Sequence, residues 1–312
     1  MTLELRPTRE EDLPALTRLL ARRFGHPFAA AEWEWKYRRL PGEARSLVAM
    51  EVAAGEVLAH AGALCLPACW RGGEGGVWQL TDFAGEAGGS GLRAPLVGLG
   101  RALLADLPRP GDAPWIFGFP SERHFRLGVH AFGYRPLAVV QPLAGMIPDD
   151  SELAGVAGAG ADLEISDHCG DWAEAIWRRC DVLGVRRSAA FLNWRYHARP
   201  ERYYRFYRLR ERAAEGLLVF AFVGAEAWAV EAWLAAGAEW YPSLLAVAAD
   251  LRASGLDLWR FWPGLPSPLA ARLGLAAAGE PRFLGCRGGT TGADPVLAAQ
   301  GFTYAMGDYD LA

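Results

Sequence analysis

Asp82 stands in an apolar run, Val77 to Phe83, that reads as a strand. If Val77, Gln79 and Thr81 face one way, the Asp82 carboxylate shares its face with Trp78 and Leu80. Apolar neighbours raise a carboxyl pKa and suit it to accept a proton. The plainer alternative is a sheet-edge acid bonded to a nearby amide. Glu86 follows closely, and the stretch Gly85 to Gly100 is rich in glycine before it enters a helix. Such glycines either let the backbone approach a ligand or pack helices closely. His124 and His130 lie six apart, a spacing that does not place them on one helix face. A lone helical histidine is more often a surface or packing residue. The cysteines stand at 65, 69, 169, 180 and 286. Cys65 and Cys69 form a Cys-x3-Cys pair that no second pair completes, so no metal site is expected.

These residues need elements to place them. Leu3 to Arg6 reads as a short strand, and Thr8-Arg-Glu-Glu11 matches a capping box before a helix with Leu13, Leu16, Leu19 and Leu20 on one face. A second helix carries Trp33, Trp35 and Tyr37. Ser46 to Val52 and Val57 to Leu66 form two strands, and Val77 to Phe83 a third. A helix ending near Leu107 follows, then a buried strand, Trp115 to Phe119, and a helix after Ser121.

The plan then recurs. Trp33-Glu-Trp-Lys-Tyr37 with Pro41 is echoed by Asn193-Trp-Arg-Tyr196 with Pro200, and Phe119-Pro120 by Trp262-Pro263. A period of roughly 150 residues indicates two copies of one domain. The boundaries read 1–146 for the first, 147–161 for a glycine-rich linker, and 162–312 for the second. The order β-α-α-β-β-β-α-β-α-β predicts an α/β fold: a mixed, mostly antiparallel twisted sheet with helices on both faces, built twice. The repeated aromatics could line an acceptor pocket, but helical positions two apart do not share a face, which favours core packing.

Composition narrows the function. The chain has 312 residues, 52% hydrophobic and 22% charged, with a net charge of −4. That describes a globular protein with no basic surplus to recommend nucleic acid. Lys36 is the only lysine among 32 basic residues, which reads as codon bias. The start is unlike a signal peptide, and no long uncharged apolar run suggests a membrane span, so a cytoplasmic location is expected.

Several stretches in this order resemble the GCN5-related N-acetyltransferase (GNAT) family, and the repetition resembles its tandem members. They are Leu3-Glu-Leu-Arg-Pro-Thr-Arg-Glu-Glu-Asp-Leu-Pro14, Val57-Leu-Ala-His-Ala-Gly62, Gly98-Leu-Gly-Arg-Ala-Leu-Leu104, Phe119-Pro-Ser-Glu122, Ala131-Phe-Gly-Tyr-Arg135 and Phe302-Thr-Tyr-Ala-Met-Gly-Asp-Tyr-Asp310. The resemblance implies an acyl-CoA-dependent N-acyltransferase using acetyl-CoA and no metal, acting on a small-molecule or peptide amine as a monomer or homodimer. It implies that Asp82 or Glu86 is the base, and that His130 or Tyr134 serves where the family's acidic tyrosine falls on Val129. The cofactor would lie along Phe83, Ala84, Gly89, Gly91, Arg93, Gly98, Gly100 and Arg101. The basic position of the family's loop is Pro95 here, and the second half, Ala235 to Pro242, has one glycine and no basic residue. Its cofactor loop is therefore expected to be degenerate. A non-catalytic or regulatory protein that kept the fold is the alternative, and aminoacyl transfer from charged transfer RNA is disfavoured by the acidic balance.

Overall fold

The computed structural model describes residues 2–70, 73–86, 93–107, 115–154, 162–179, 183–262, 265–287, 302–303 and 305. In chain order the first elements are β1 (Leu3–Pro7), a 3-10 turn (Glu10–Asp12), α1 (Leu13–Phe24), α2 (Ala30–Tyr37), β2 (Ala44–Glu51), β3 (Glu56–Trp70) and β4 (Gly73–Gly85). They continue with α3 (Arg93–Asp106), β5 (Trp115–Gly118), α4 (Glu122–Phe132), β6 (Arg135–Val140), β7 (Leu143–Met146) and α5 (Asp150–Ala154). Next come β8 (Asp162–Ser166), α6 (Trp172–Arg179), β9 (Leu183–Val185), α7 (Ala189–Leu192), a π-helical turn (Asn193–His197), β10 (Tyr204–Glu211) and β11 (Ala214–Val223). The chain then forms β12 (Glu226–Leu234), α8 (Tyr241–Ala253), β13 (Leu258–Phe261), α9 (Ser267–Arg272), β14 (Ala276–Ala277), β15 (Arg282–Arg287) and β16 (Phe302–Thr303). Among the described residues, no helix is long and apolar enough to cross a membrane.

The chain divides into two compact units, each drawn from two stretches. One is Met1–Leu137 with Leu284–Gln300, the other Ala138–Phe283 with Gly301–Ala312. In the first, the strands run β1-β2-β3-β4-β5-β15, all antiparallel except β4 with β5. In the second they run β14-β7-β13-β12-β11-β10-β8, with only β12 and β13 parallel. Strand β15 therefore joins the first sheet from late in the chain, and β7 the second from before the glycine-rich run, whereas the sequence reading assigned each half one continuous stretch. Helix α5 forms inside the segment read as linker.

Alternation explains how one sheet holds helices on both faces. In the first unit Leu47, Ala49, Ala59, Ala61 and Ala63 pack with Leu99, Leu103 and Leu107 at α3. Val48, Val57 and Ala84 pack with Leu13, Leu16, Leu19 and Leu20 of α1, and with Trp33 of α2. Each buried leucine contributes about 1.5–3 kcal/mol. The start of α1 differs from the expected capping box. The Thr8 hydroxyl bonds Ser46 at 2.7 Å, and it is Asp12, held by Arg6, that accepts the Arg9 amide at 2.8 Å. The Thr8 amide that Glu11 was expected to take donates instead to the Ser46 carbonyl at 2.8 Å.

Gly98 and Gly100 both lie inside α3 rather than in a loop before it. A Cβ on Gly100 would stand 2.5 Å from the Phe132 ring and 3.1 Å from that of Phe83. The glycine thus lets α3 approach α4 and β4. Gly100→Ala is expected to lower stability by about 1–3 kcal/mol through overpacking, offset in part by about 1 kcal/mol of helix propensity. A thermal or urea unfolding curve reads the difference.

Candidate active site

Two features of β4 open a notch in the first sheet. The parallel register with β5 covers Val77↔Trp115, Trp78↔Ile116 and Gln79↔Phe117, while β4 runs on to Gly85. The register with β3 then shifts, passing from Gly62↔Thr81 to His60↔Ala84, so that Asp82 and Phe83 both face Ala61. This is a β-bulge, and Asp82 takes a left-handed backbone there, with φ 49°. Asp is one of the few side chains that tolerates that region. Beyond the bulge Ala84 pairs with His60, and the Glu86 amide donates to the Leu58 carbonyl at 2.9 Å. By alternation, the Phe83 and Gly85 amides turn away from β3 toward the side where β5 has diverged.

The Asp82 side chain is not beside Trp78 and Leu80, because the bulge breaks the alternation that reading assumed. Its carboxylate accepts from Lys36 Nζ at 3.0 and 3.1 Å and from Tyr37 Oη at 2.7 Å. The side chains of Lys36 and Asp82 are each 1% exposed. Removing one partner of such a buried pair costs about 3–5 kcal/mol, since the other charge is left stranded. The Asp82 carbonyl is held as well, by His60 Nδ1 at 2.9 Å. His60 is fully buried, and burial holds its pKa below the ordinary histidine value despite the Asp82 charge. The neutral ring donates from Nδ1, so Nε2 accepts from the Ser46 hydroxyl at 2.8 Å. Ser46 in turn accepts from Trp33 Nε1 at 3.2 Å and from Thr8. Each member of this network is satisfied, and α2 is tied through it to the bulge. Gly62 makes room for it, because a Cβ there would fall 1.9 Å from Tyr37 Oη.

The second unit repeats the arrangement. β12 and β13 also pair over three residues, Glu226↔Leu258 to Trp228↔Arg260, and the register with β11 shifts so that Val230 is extra. Glu231 is fully buried and accepts from Tyr196 Oη at 2.6 Å, Arg187 Nε at 3.1 Å and Trp233 Nε1 at 2.5 Å. Trp35-Lys-Tyr37 thus corresponds to Trp194-Arg-Tyr196, and in both the tyrosine hydroxyl meets a strand acid three residues past the last parallel pair. Sequence reasoning saw the repeat but took it for aromatic packing. The polar residue inside it, and an acid at matching depth in each half, were the available signal.

The remaining expected site residues separate into groups. Phe83 meets Phe132 edge to face at 5.6 Å between centroids and His124 at 6.2 Å, and Phe132 meets Tyr134 at 6.2 Å. The Tyr134 ring rests on Gly128, where a Cβ would come within 2.4 Å of it. Burial raises the Tyr134 pKa well above the usual tyrosine value, against a smaller opposing effect of Arg287. The phenol therefore stays protonated. His124 is lowered by burial and then by the charges of Arg123 and Arg23, so its ring stays neutral near pH 7. Glu86 pairs with Arg22 of α1. Ala84 faces the leucines of α1, opposite Phe83. His130 and Arg101 are exposed on α4 and α3. Gly89, Gly91 and the side chain of Arg93 lie outside the described residues. Gly98 and Gly100 have helical backbone, so their amides are committed within α3. No group of residues suited to a metal ion occurs among the described residues.

In the second unit the corresponding helix start is closed. The Tyr241 amide at the head of α8 donates to Glu239 Oε1 at 3.3 Å, and the neighbouring Trp240 is buried with its Nε1 on the Ala235 carbonyl at 2.9 Å. A carboxylate of the chain itself holds the place at which a helix start receives an anion.

No protein-family model and no curated protein matches the chain. Solved structures do. A GCN5-related N-acetyltransferase from Anabaena variabilis is similar with a TM-score of 0.62 at 11% identity, over 92% of this chain and 72% of that one. One from Sphaerobacter thermophilus gives a TM-score of 0.56 at 15% identity, over 94% and 97%. A tandem GNAT protein from the clavulanic acid biosynthesis pathway gives 0.57 at 12% identity, over 94% of this chain and all of its own length. Element order, bulge, diverging strand pair and these likenesses agree that the chain carries the GCN5-related N-acetyltransferase fold twice, in tandem.

Proposed function

We propose that the protein is an acyl-CoA-dependent N-acyltransferase, that its first unit holds the acyl-CoA, and that acetyl is the group transferred to a small-molecule or peptide amine. The observation that carries the reading is the open edge of β4, where the Phe83 and Gly85 amides face the gap left by β5 and the start of α3 follows. A strand edge that runs on past its last parallel pair fits the amide-bearing arm of coenzyme A, and a helix start fits its diphosphate. Pro95, near the start of α3, withholds one amide from that end. Coenzyme A supplies the acyl group as a thioester, whose thiolate is a good leaving group.

The residues of the chain then divide the work by protonation state. The acceptor amine must lose a proton, and the departing sulfur must gain one. Tyr134, kept protonated by burial, is assigned the proton donor's part in this reading. His124, kept neutral and lying edge-on to Phe83, is assigned the acceptor's part. Asp82 is spent on Lys36 and Tyr37, which leaves it no free role as base. The second unit, with Glu239 at the head of α8 and Trp240 packed beside it, is read as a scaffold without a cofactor.

Saturating acetyl-CoA is expected to raise the unfolding midpoint. At a hundredfold excess over Kd the gain is about 2.7 kcal/mol. A flat melting curve with acetyl-CoA and with longer acyl-CoAs would exclude the reading. Tyr134→Phe is expected to lower kcat by about 10²-fold or more with little change in coenzyme A binding. Because the His124 pKa is depressed, the proton-accepting form persists to lower pH than for an ordinary histidine. Thiol release should therefore decline only below about pH 6.5. A pH profile of His124→Gln that keeps the same acid limb would remove His124 from the mechanism.

A further inference from the structure

We infer that Lys36, Tyr37 and His60 are positioning residues for the acyl-CoA, acting through Asp82; the inference rests on the N-acyltransferase reading of the same notch. Asp82 is held at two points. Lys36 and Tyr37 fix its carboxylate at 2.7–3.1 Å, and His60 fixes its carbonyl at 2.9 Å. Even for Asp a φ of 49° is sparsely populated, and the contacts on both sides of Asp82 help to keep it there. The next residue, Phe83, carries the amide that opens toward the gap and the ring that touches His124 and Phe132. If Asp82 relaxes, the peptide between it and Phe83 turns, and both the donor and the ring lose their aim. The network therefore sets the geometry of the binding edge without touching the ligand.

The second unit supplies an internal control. Glu231, Tyr196 and Arg187 form the same kind of clamp at the same place in the sheet, yet Glu239 sits at the adjoining helix start. A clamp that only held the fold together would behave alike in both units. One that aims a binding edge would matter for coenzyme A in the first unit alone.

The test measures Kd for coenzyme A by calorimetry on the full chain, with the unfolding midpoint alongside. Asp82→Asn and Lys36→Met are expected to weaken binding tenfold or more. Gly62→Ala, which drives Tyr37 off Asp82 without altering a titratable group, should reproduce the loss, and it keeps the test open should Lys36→Met fail to fold. Glu231→Gln should lower the midpoint and leave Kd unchanged. Folded first-unit variants that bind as the wild type does would overturn the inference while leaving the enzyme reading intact. So would an equal loss of affinity in Glu231→Gln. Loss of the acid limb of acetyl-CoA hydrolysis in Asp82→Asn, with Kd unchanged, would make Asp82 the base and overturn it too. A wild-type chain that binds no coenzyme A would defeat the enzyme reading and this inference together.

Discussion

A carboxylate taken out of water at the fourth strand of each sheet is the constraint on which the rest is arranged. An ionised acid with no solvent costs several kcal/mol unless a cation and further donors meet it. Asp82 is met by Lys36 and Tyr37, and Glu231 by Arg187, Tyr196 and Trp233. All of these but Trp233 lie 35 to 46 residues away in sequence, so satisfying the acid fixes where α2 and the π-helical turn sit against their sheets. Aromatic rings from outside the repeated motif stand beside the cations. Phe28 lies 5.7 Å from Lys36 Nζ, and Trp233 5.1 Å from the Arg187 guanidinium.

Much of this was legible in the chain. Leucine spacing gave α1, and alternation gave β2 and β3. The twofold order gave two sheets with helices on both faces. What the sequence hid has a common cause, which is that alternation and periodicity describe regular elements and the site sits where regularity fails. Asp82 was assigned a face by counting from Val77, and one extra residue in the bulge made the count wrong. Gly98 and Gly100 looked like a phosphate loop because glycine serves both loops and helix contacts; the helical backbone of both, and the Phe132 and Phe83 rings against Gly100, decide between them. The sole lysine looked like a residue of codon bias, since its acid lies 46 positions away. The membership of β15 and β7 was hidden for a similar reason. Pairing across such distances leaves no local mark.

The two clamps also separate what the fold needs from what the chemistry needs. Both units keep the buried acid, the tyrosine and the bulge, and both lose parallel pairing three residues before the acid. Only the first leaves the adjoining helix start without an acid of its own among the described residues. In the second, Glu239 takes the Tyr241 amide and Trp240 is packed in the core beside it. The splayed strand pair is thus a property of the fold, whereas an anion site requires in addition that the chain withhold its own carboxylate from the helix start.

The choice of cation follows from where it must come. Lys36 is adjacent to Tyr37 on one helix, and both must reach a single short carboxylate in a space bounded by Phe28 and β3. A compact ammonium on a flexible stem can do that, with its three donors free to turn. In the second unit the corresponding position is Arg195, but the acid is reached by Arg187, which follows β9 and approaches between Phe191 and Trp233. There the planar guanidinium has two rings to lie against, and its Nε is shared evenly between the oxygens of the longer glutamate at 3.1 Å each. The two clamps satisfy one electrostatic requirement with different side chains because the cation enters from different elements. Duplication fixed the acid and the tyrosine in place, and the route of approach decided the rest.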